Sequence, residues 1–222
     1  MAHAPTLTGR TVLVTGGGDL AAATAGGLLA HGAVVALAGP DAEETRRTAR
    51  PGSALLALPP AGDGLAGPAR AVDTVVERLG RLDHLVNLVA ARPSPGPLME
   101  LDPLALRDIL HHDLVTPLAC TQRAYWRWMA AHGGSVVNVV ADTARSGPQD
   151  AALGALTELT EWLAAELAPR VHVHTLMPSP SLGAVAYRQA VPQVLGELLT
   201  HGTDPADGPV LVLSDAPGCR AA

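Results

Sequence analysis

The chain has 222 residues, 48% of them hydrophobic, with 23 glycines, 19 prolines and a net charge of −6. That length supports one domain with a sizeable core rather than two. An acidic balance without a basic tract excludes a nucleic-acid footprint, and no run of about 18 uninterrupted apolar residues offers a membrane span.

All 15 basic residues are arginine and phenylalanine is absent, so the core is built from Leu, Val and Ala with three Trp added. Cys120 and Cys219 form no CxxC pair and read as two reduced thiols of a cytoplasmic protein. Residues 1–10 show no charged region leading into an apolar one, so no signal peptide is expected.

Residues 11–35, TVLVTGGGDLAAATAGGLLAHGAVV, read as strand, glycine turn, helix and strand. This is the opening unit of a dinucleotide-binding α/β domain. A polar helix is expected over 41–50, with Asp41 as its N-cap and Pro51-Gly52 ending it. A short strand over 54–58 leads through a Pro/Gly loop into an amphipathic helix over 69–80, marked by Val72, Val75, Val76 and Leu79. Strand 85–89 is followed by a loop and by one long helical stretch, 104–131, interrupted at Pro117. Then come strand 135–140, a loop, and a helix over 150–167 with Leu153, Leu156, Thr160, Leu163 and Leu167 on one stripe. Strand 171–176, a Pro/Ser-rich stretch, a short helix over 191–201 and strand 210–213 complete the pattern. Strict β/α alternation predicts a Rossmann-like, doubly wound parallel sheet in three α/β/α layers, a single domain over 1–222.

Five stretches together resemble the short-chain dehydrogenase/reductase family. They are LTGRTVLVTGG at 7–17, GRLDHLVNLVA at 80–90, HGGSVVNVVAD at 132–142, LGALTELTEWLAAEL at 153–167 and DGPVLVLSDAPG at 207–218. The resemblance covers nearly the whole chain with the order and spacing intact, and it implies the same fold.

The family's Thr-Gly-x-x-x-Gly-x-Gly turn falls on Thr15, Gly16, Leu20 and Ala22. Glycine serves there because the backbone must approach a pyrophosphate closely. Leu20 is expected to put a branched side chain where phosphate oxygens meet bare backbone. Asp19 stands where a basic residue often accompanies a 2′-phosphate. Asn87 is kept in the fourth-strand motif, but Leu88, Val89 and Ala90 replace Asn, Ala and Gly. Leu58-Pro59 replaces an Asp beside adenine, and Pro178-Ser179 replaces Pro-Gly. Thr15, Gly16, Leu20, Ala22 and Asn87 thus read as a vestigial cofactor site. Weak or absent NAD(P) binding, and no other cofactor, is the expectation.

By the same resemblance, hydride transfer uses a tyrosine acid, a lysine four residues later, a serine and a helical asparagine. Those positions fall on Gln149, Leu153, Ala141 and Asp113. The chain contains no lysine, and Tyr125 and Tyr187 lie elsewhere. These losses argue against ordinary oxidoreductase chemistry. His112, Asp113 and Asp142 are the alternative acid/base candidates. Adjacent helix residues point about 100° apart, so His111, His112 and Asp113 cannot all face one atom. The simpler reading makes the histidines solvated and Asp142 a loop cap. His172 and His174 share a strand face, but two ligands without a third make a poor metal site, and no metal is expected.

The helices over 104–131 and 150–167, which pair across a dyad in the family, keep their patterns, and Trp162 lies off the apolar stripe. The leading expectation is therefore a catalytically degenerate, non-redox pseudoenzyme, a structural or regulatory subunit of a homodimer or of a heteromer with an active paralogue. The lysine-free composition suits a high-GC bacterium and specialised biosynthesis. The alternative is a repurposed, cofactor-independent enzyme whose old cleft takes a hydrophobic small molecule for acid/base cyclisation, dehydration or isomerisation. Last comes an atypical NAD(P)-dependent ketoreductase. The stretch 178–187 has little to order it, leaving the cleft open or filled by Leu20, Leu88 and Leu153.

Overall fold

The computed structural model describes residues 7–59, 66–89, 98–140, 147–202, 208–214 and 219–221. Its strands are β1 (Thr11–Thr15), β2 (Val34–Ala38), β3 (Leu55–Leu58), β4 (His84–Val89), β5 (Gly134–Val140), β6 (Val171–Pro178), β7 (Val210–Leu213) and β8 (Cys219–Ala221). They form one sheet in the order β3-β2-β1-β4-β5-β6-β7-β8. The strands from β3 to β7 pair in parallel, whereas β8 returns antiparallel to β7. The expected doubly wound parallel sheet is thus found from β3 to β7, and the additional strand β8 turns back for a geometric reason. Residues 214–218 are too few for a crossover, which takes about a dozen residues or more, so the chain can only fold back.

The helices are α1 (Gly18–Ala30), α2 (Ala42–Thr48), α3 (Ala66–Leu79), α4 (Pro103–Leu110), α5 (Thr116–Ala124), α6 (Ala130–His132), α7 (Gly147–Leu167) and α8 (Ala184–His201). The expected break at Pro117 does not occur. Instead α4, α5 and α6 are joined by two π-helical turns, His111–Val115 and Tyr125–Met129, into one continuous rod. Pro117 has no N–H to give to the carbonyl one turn back, and the wider π turn immediately before it absorbs that missing bond. No helix of the described residues is long and apolar enough to cross a membrane.

Both sheet faces are covered, which is why β1 and β4 read as continuous apolar runs. On one face Val12, Val14, Val86 and Val137 pack with Leu28 of α1 and Leu195 of α8, all 0% exposed. On the other, Leu13, Leu85 and Val136 pack with Val72 and Val75 of α3 and Met129 of the long rod. Each such side chain contributes about 1.5–3 kcal/mol on burial. The packing of α1 on α8 needs Gly27, since a Cβ there would sit 2.5 Å from Cβ of Pro192. Helix α8 starts well before the expected residue 191, because Tyr187 is fully buried. Its hydroxyl donates to the Leu176 carbonyl at 3.4 Å. The stretch 178–187, expected to lack order, is pinned further by Ser179 N–H on the Leu213 carbonyl at 2.9 Å.

Candidate cofactor and catalytic cleft

Strand order reverses between β1 and β4, which places the fold's ligand crevice at the carboxyl ends of these strands. There β1 gives way to Gly16, Gly17 and Gly18. Gly16 has φ +123° and Gly18 φ +76°, values that side chains beyond hydrogen rarely allow. A Cβ on Gly16 would lie 2.8 Å from Cβ of Leu88, and one on Gly39 would lie 1.9 Å from the Gly16 carbonyl oxygen. The turn is therefore clamped between the ends of β2 and β4 by direct backbone contact.

Gly17 is the N-cap of α1 and brings no side chain to the first-turn N–H groups, which have no intrahelical acceptors. One of them is already used: Gly18 N–H donates to the Asp41 carboxylate at 2.7 Å. Asp41, expected to cap its own helix, heads α2 without a side-chain bond there and reaches across to α1 instead.

Leu20 does not stand where the sequence suggests. It is 5% exposed and packs in the core with Leu182 and Tyr187. Because α1 already begins at Gly18, Leu20 lies in its first turn with the side chain buried in the core. Ala22 is half-buried in the same helix. The head of α1 thus fits a diphosphate: bare glycine backbone, first-turn donors and the positive end of a helix dipole. The exposed Asp19 and the engaged Asp41 set two carboxylates beside it.

Thr15 and Asn87 are bonded to each other. The Thr15 hydroxyl donates to Oδ1 of Asn87 at 2.9 Å, and Nδ2 of Asn87 donates to Oδ1 of Asn138 at 2.9 Å. Asn138 continues to Thr160 of α7 at 3.4 Å, and the Thr160 and Thr175 hydroxyls are 2.8 Å apart. Thr15, Asn87, Asn138 and Thr175 are register partners on β1, β4, β5 and β6, so the row ties four strands and one helix together. Sequence reasoning missed Asn138 and Thr175 and placed Thr160 only on the stripe of its helix. The available signal was the repeated wording LVNLV and VVNVV, an asparagine inside each of two apolar strands.

Of the four catalytic positions, three are described. Asp113 lies in the first π turn and is 3% exposed; Gln149, in the first turn of α7, is also 3% exposed. The π turn packs on α7. Leu153 joins Val89, Val140 and Leu156 in a small apolar cluster at the carboxyl ends of β4 and β5. Ala141 and Asp142, and with them Ala90, lie outside the described residues. His112 is exposed while its neighbour Asp113 is buried, so the two side chains do not converge. Among the described residues no group of three or more His, Cys, Asp or Glu is arranged to hold a metal ion. Leu88, like Leu20, is part of the large core, whereas Leu153 belongs to the separate small cluster.

The family model for short chain dehydrogenase matches residues 10–188. The chain belongs to the short-chain dehydrogenase/reductase family. A stretch of 125 residues is 30% identical to the peroxisomal 2,4-dienoyl-CoA reductase of Danio rerio, covering 54% of this chain and 41% of that protein. Another of 115 residues is 31% identical to tropinone reductase-like 3 of Erythroxylum coca, covering 48% and 43%. These matches span about two fifths of each relative's length. Among solved structures, a citronellol catabolism dehydrogenase of Pseudomonas aeruginosa PAO1 superposes with TM-score 0.81 at 24% identity over 97% of this chain and 98% of that one. A metagenomic short-chain oxidoreductase in complex with NADP superposes with TM-score 0.80 at 22% identity over 93% and 97%.

Two expectations are overturned. The expected loss of ordinary oxidoreductase chemistry does not stand, because this chain shares family and nearly its whole fold with dehydrogenases and reductases, and redox chemistry is plausible for it. The expected weakness or absence of NAD(P) binding is corrected too. The family's dinucleotide fold, one example of which is solved with NADP, makes NAD(P) binding the expectation. The physical source of the second error is Leu20: reading the turn by spacing put its side chain on the phosphate, whereas the helix start puts it in the core.

Proposed function

We propose that this protein is an atypical NAD(P)-dependent oxidoreductase of a small carbonyl or alcohol compound, in which Asp113 takes part in proton handling in place of a tyrosine–lysine pair. The observation that carries the reading is the glycine turn at the head of α1, where Gly16, Gly17 and Gly18 carry no side chain and Leu20 is buried in the core, with the Asp41 carboxylate bonded to the Gly18 N–H. When bound, the nicotinamide supplies or accepts a hydride at the substrate carbon. The chain's own residues hold the diphosphate at Gly16–Gly18, provide an apolar wall from Leu153 and Val140, and exchange a proton at the substrate oxygen. Asp113 is assigned that proton because it is buried in the π turn that packs on α7, whereas its neighbour His112 is exposed.

Titration with NADH and NADPH, followed by nicotinamide fluorescence, tests the reading. Saturable binding is expected, with NADH ahead of NADPH because Asp19 and Asp41 repel a 2′-phosphate. No saturable binding of either would remove the proposal. In a screen of ketones and secondary alcohols, Asp113→Asn is expected to lower turnover by about 10²–10⁴-fold while leaving dinucleotide affinity in place.

A second reading concerns assembly. Trp126, on the second π turn, and Trp162, on α7, are 76% and 69% exposed. Large exposed aromatics on these two helices favour a homodimer, or a heteromer with an active family paralogue, through 104–131 and 150–167. The chain would serve there as a structural or regulatory subunit, and a cytoplasmic, bacterial biosynthetic setting goes with this reading. Co-purification with a tyrosine- and lysine-bearing paralogue supports the heteromer; a single species of one chain in solution rules it out.

A further inference from the structure

The amino ends of the strands carry a second cleft, of about 330 Å³, remote from the dinucleotide crevice by the length of the sheet. Register builds its floor. His84 on β4 pairs with Ser135 on β5, and Ser135 pairs with His172 on β6. Register partners share a face, so the three side chains form one row, with strands about 4.8 Å apart. The row stands on the face covered by α1 and α8, opposite the Thr15–Asn87–Asn138–Thr175 row.

Arginine flanks this row. The cleft is lined by Arg10 and Arg170 as well as by Asp83. Asp83 is already saturated by cations and donors: Arg10 at 3.0 Å, Arg81 at 2.6 and 2.8 Å, and the Thr11 N–H at 2.8 Å. Burial opposes the ionised form of Asp83, but the hydrogen bonds from Arg81, Thr11 and Arg10 hold its carboxyl below the usual value. Arg170 gives one N–H to the Ala130 carbonyl at 2.7 Å, one of the five donors of a guanidinium. Two arginines and one carboxylate therefore line the cleft, and Asp83 is further neutralised by Arg81 from outside it, so the cleft is locally positive in a chain of net charge −6.

His84 sets this cleft apart from an ordinary surface hollow. It is 8% exposed, and neither of its ring nitrogens has a hydrogen-bond partner. Buried polar groups without partners are rare in folded proteins and call for an explanation. Burial also pushes its imidazole down to about 4, so at neutral pH the ring is uncharged and offers one N–H and one lone pair. The arginines beside it favour an anion over a cation as the missing partner.

We propose that this cleft is a second ligand site, taking the oxyanion group, phosphoryl or carboxylate, of a small molecule. Arg10 and Arg170 supply the charge, the Ser135 hydroxyl supplies a directed hydrogen bond, and the His84 N–H supplies another once its ring, whose nitrogens are shut off from solvent, turns toward the cleft. The volume lies at the small end of ligand pockets, which suits a compact metabolite rather than a cofactor. The site is independent of the oxidoreductase reading, since it uses none of the residues of the carboxyl-end cleft.

The full chain, titrated with inorganic phosphate and separately with acetate at ionic strength matched by chloride, tests it. The readouts are histidine side-chain NMR and thermal unfolding. A saturable shift of the His84 signal with a rise in Tm is expected. A response to phosphate alone identifies a phosphoryl site, to acetate alone a carboxylate site, and to both a general oxyanion site. His84→Leu and Arg170→Gln are each expected to weaken binding about tenfold or more, the loss of one charge-assisted or buried hydrogen bond. Arg170 is exposed, so Arg170→Gln reads out even where His84→Leu disturbs folding. The proposal is overturned by no saturable shift with either anion, by undiminished affinity in both variants, or by crystals grown from phosphate that hold only water against His84.

Discussion

The side-chain direction of Leu20 decides whether α1 presents bare backbone or a hydrocarbon wedge to a phosphate. Being in the core, it is a stability residue: Leu20→Ala is expected to cost about 2–5 kcal/mol in denaturant unfolding and to bring no gain in dinucleotide affinity. Asp41 behaves in the opposite way. Its carboxylate occupies a donor at the helix head, so Asp41→Asn keeps a neutral acceptor there while removing the repulsion. Dinucleotide affinity should rise by about two- to fivefold, the scale of one charge at a helix terminus. A fall in affinity would show that Asp41 binds the ligand instead. Asn138 was not legible as important because a single asparagine in a strand has no visible partner until register is known. Asn138→Leu strands the Asn87 amide and is expected to destabilise by about 1–3 kcal/mol.

At the scale of elements, β4 and β6 each bury a histidine whose imidazole is pushed down to about 4: His84 by burial against the opposing pull of Asp83, His174 by burial and then by neighbouring His172. Between about 4 and the ordinary value of 6.5 the unfolded chain binds more protons than the folded one. Their contribution to stability is therefore complete above 6.5 and declines as pH falls toward 4. Tm measured across that window should drop, and the drop should be shallower in His84→Leu; a pH-independent Tm contradicts the assignment. The long rod shows what pattern reading can and cannot do. Its helical period was legible, but the π turns were not, because Pro117 signals a missing donor without saying whether the helix breaks or widens. Arg123 and Arg127 tie the rod to α3. Arg123 grips Asp73 of α3 with two bonds of 2.8 Å, and Arg127 approaches the same carboxylate at 3.4 Å.

For the molecule as a whole, assembly is the property that the exposed surface addresses. Trp126 and Trp162 leave large aromatic area in water, and the Trp162 indole N–H donates locally to Glu158 at 3.1 Å. The double variant Trp126→Ser, Trp162→Ser should convert an oligomer to a monomer in sedimentation, with its far-UV spectrum unchanged. An unchanged mass would place the interface elsewhere. The two clefts at opposite ends of the strands give the whole molecule two addresses that can be probed separately. The carboxyl-end cleft answers to the dinucleotide titration and the amino-end cleft to the anion titration.

The sequence by itself determined the α/β layering, the parallel sheet from β3 to β7 and the family, because hydrophobic period and glycine placement are local and repeat along the chain. It also named Asp113, Gln149 and Leu153 through their spacing from recognisable strands, and the turn that carries Asp113 packs on the helix that carries the other two. Only the tertiary structure decided which way Leu20 points, where the Asp41 carboxylate bonds, and that Asn87 joins a four-strand polar row. It alone set His84, Ser135 and His172 side by side. These facts depend on helix starts and strand register, which bring together residues tens of positions apart, and no local pattern in the chain encodes such distances.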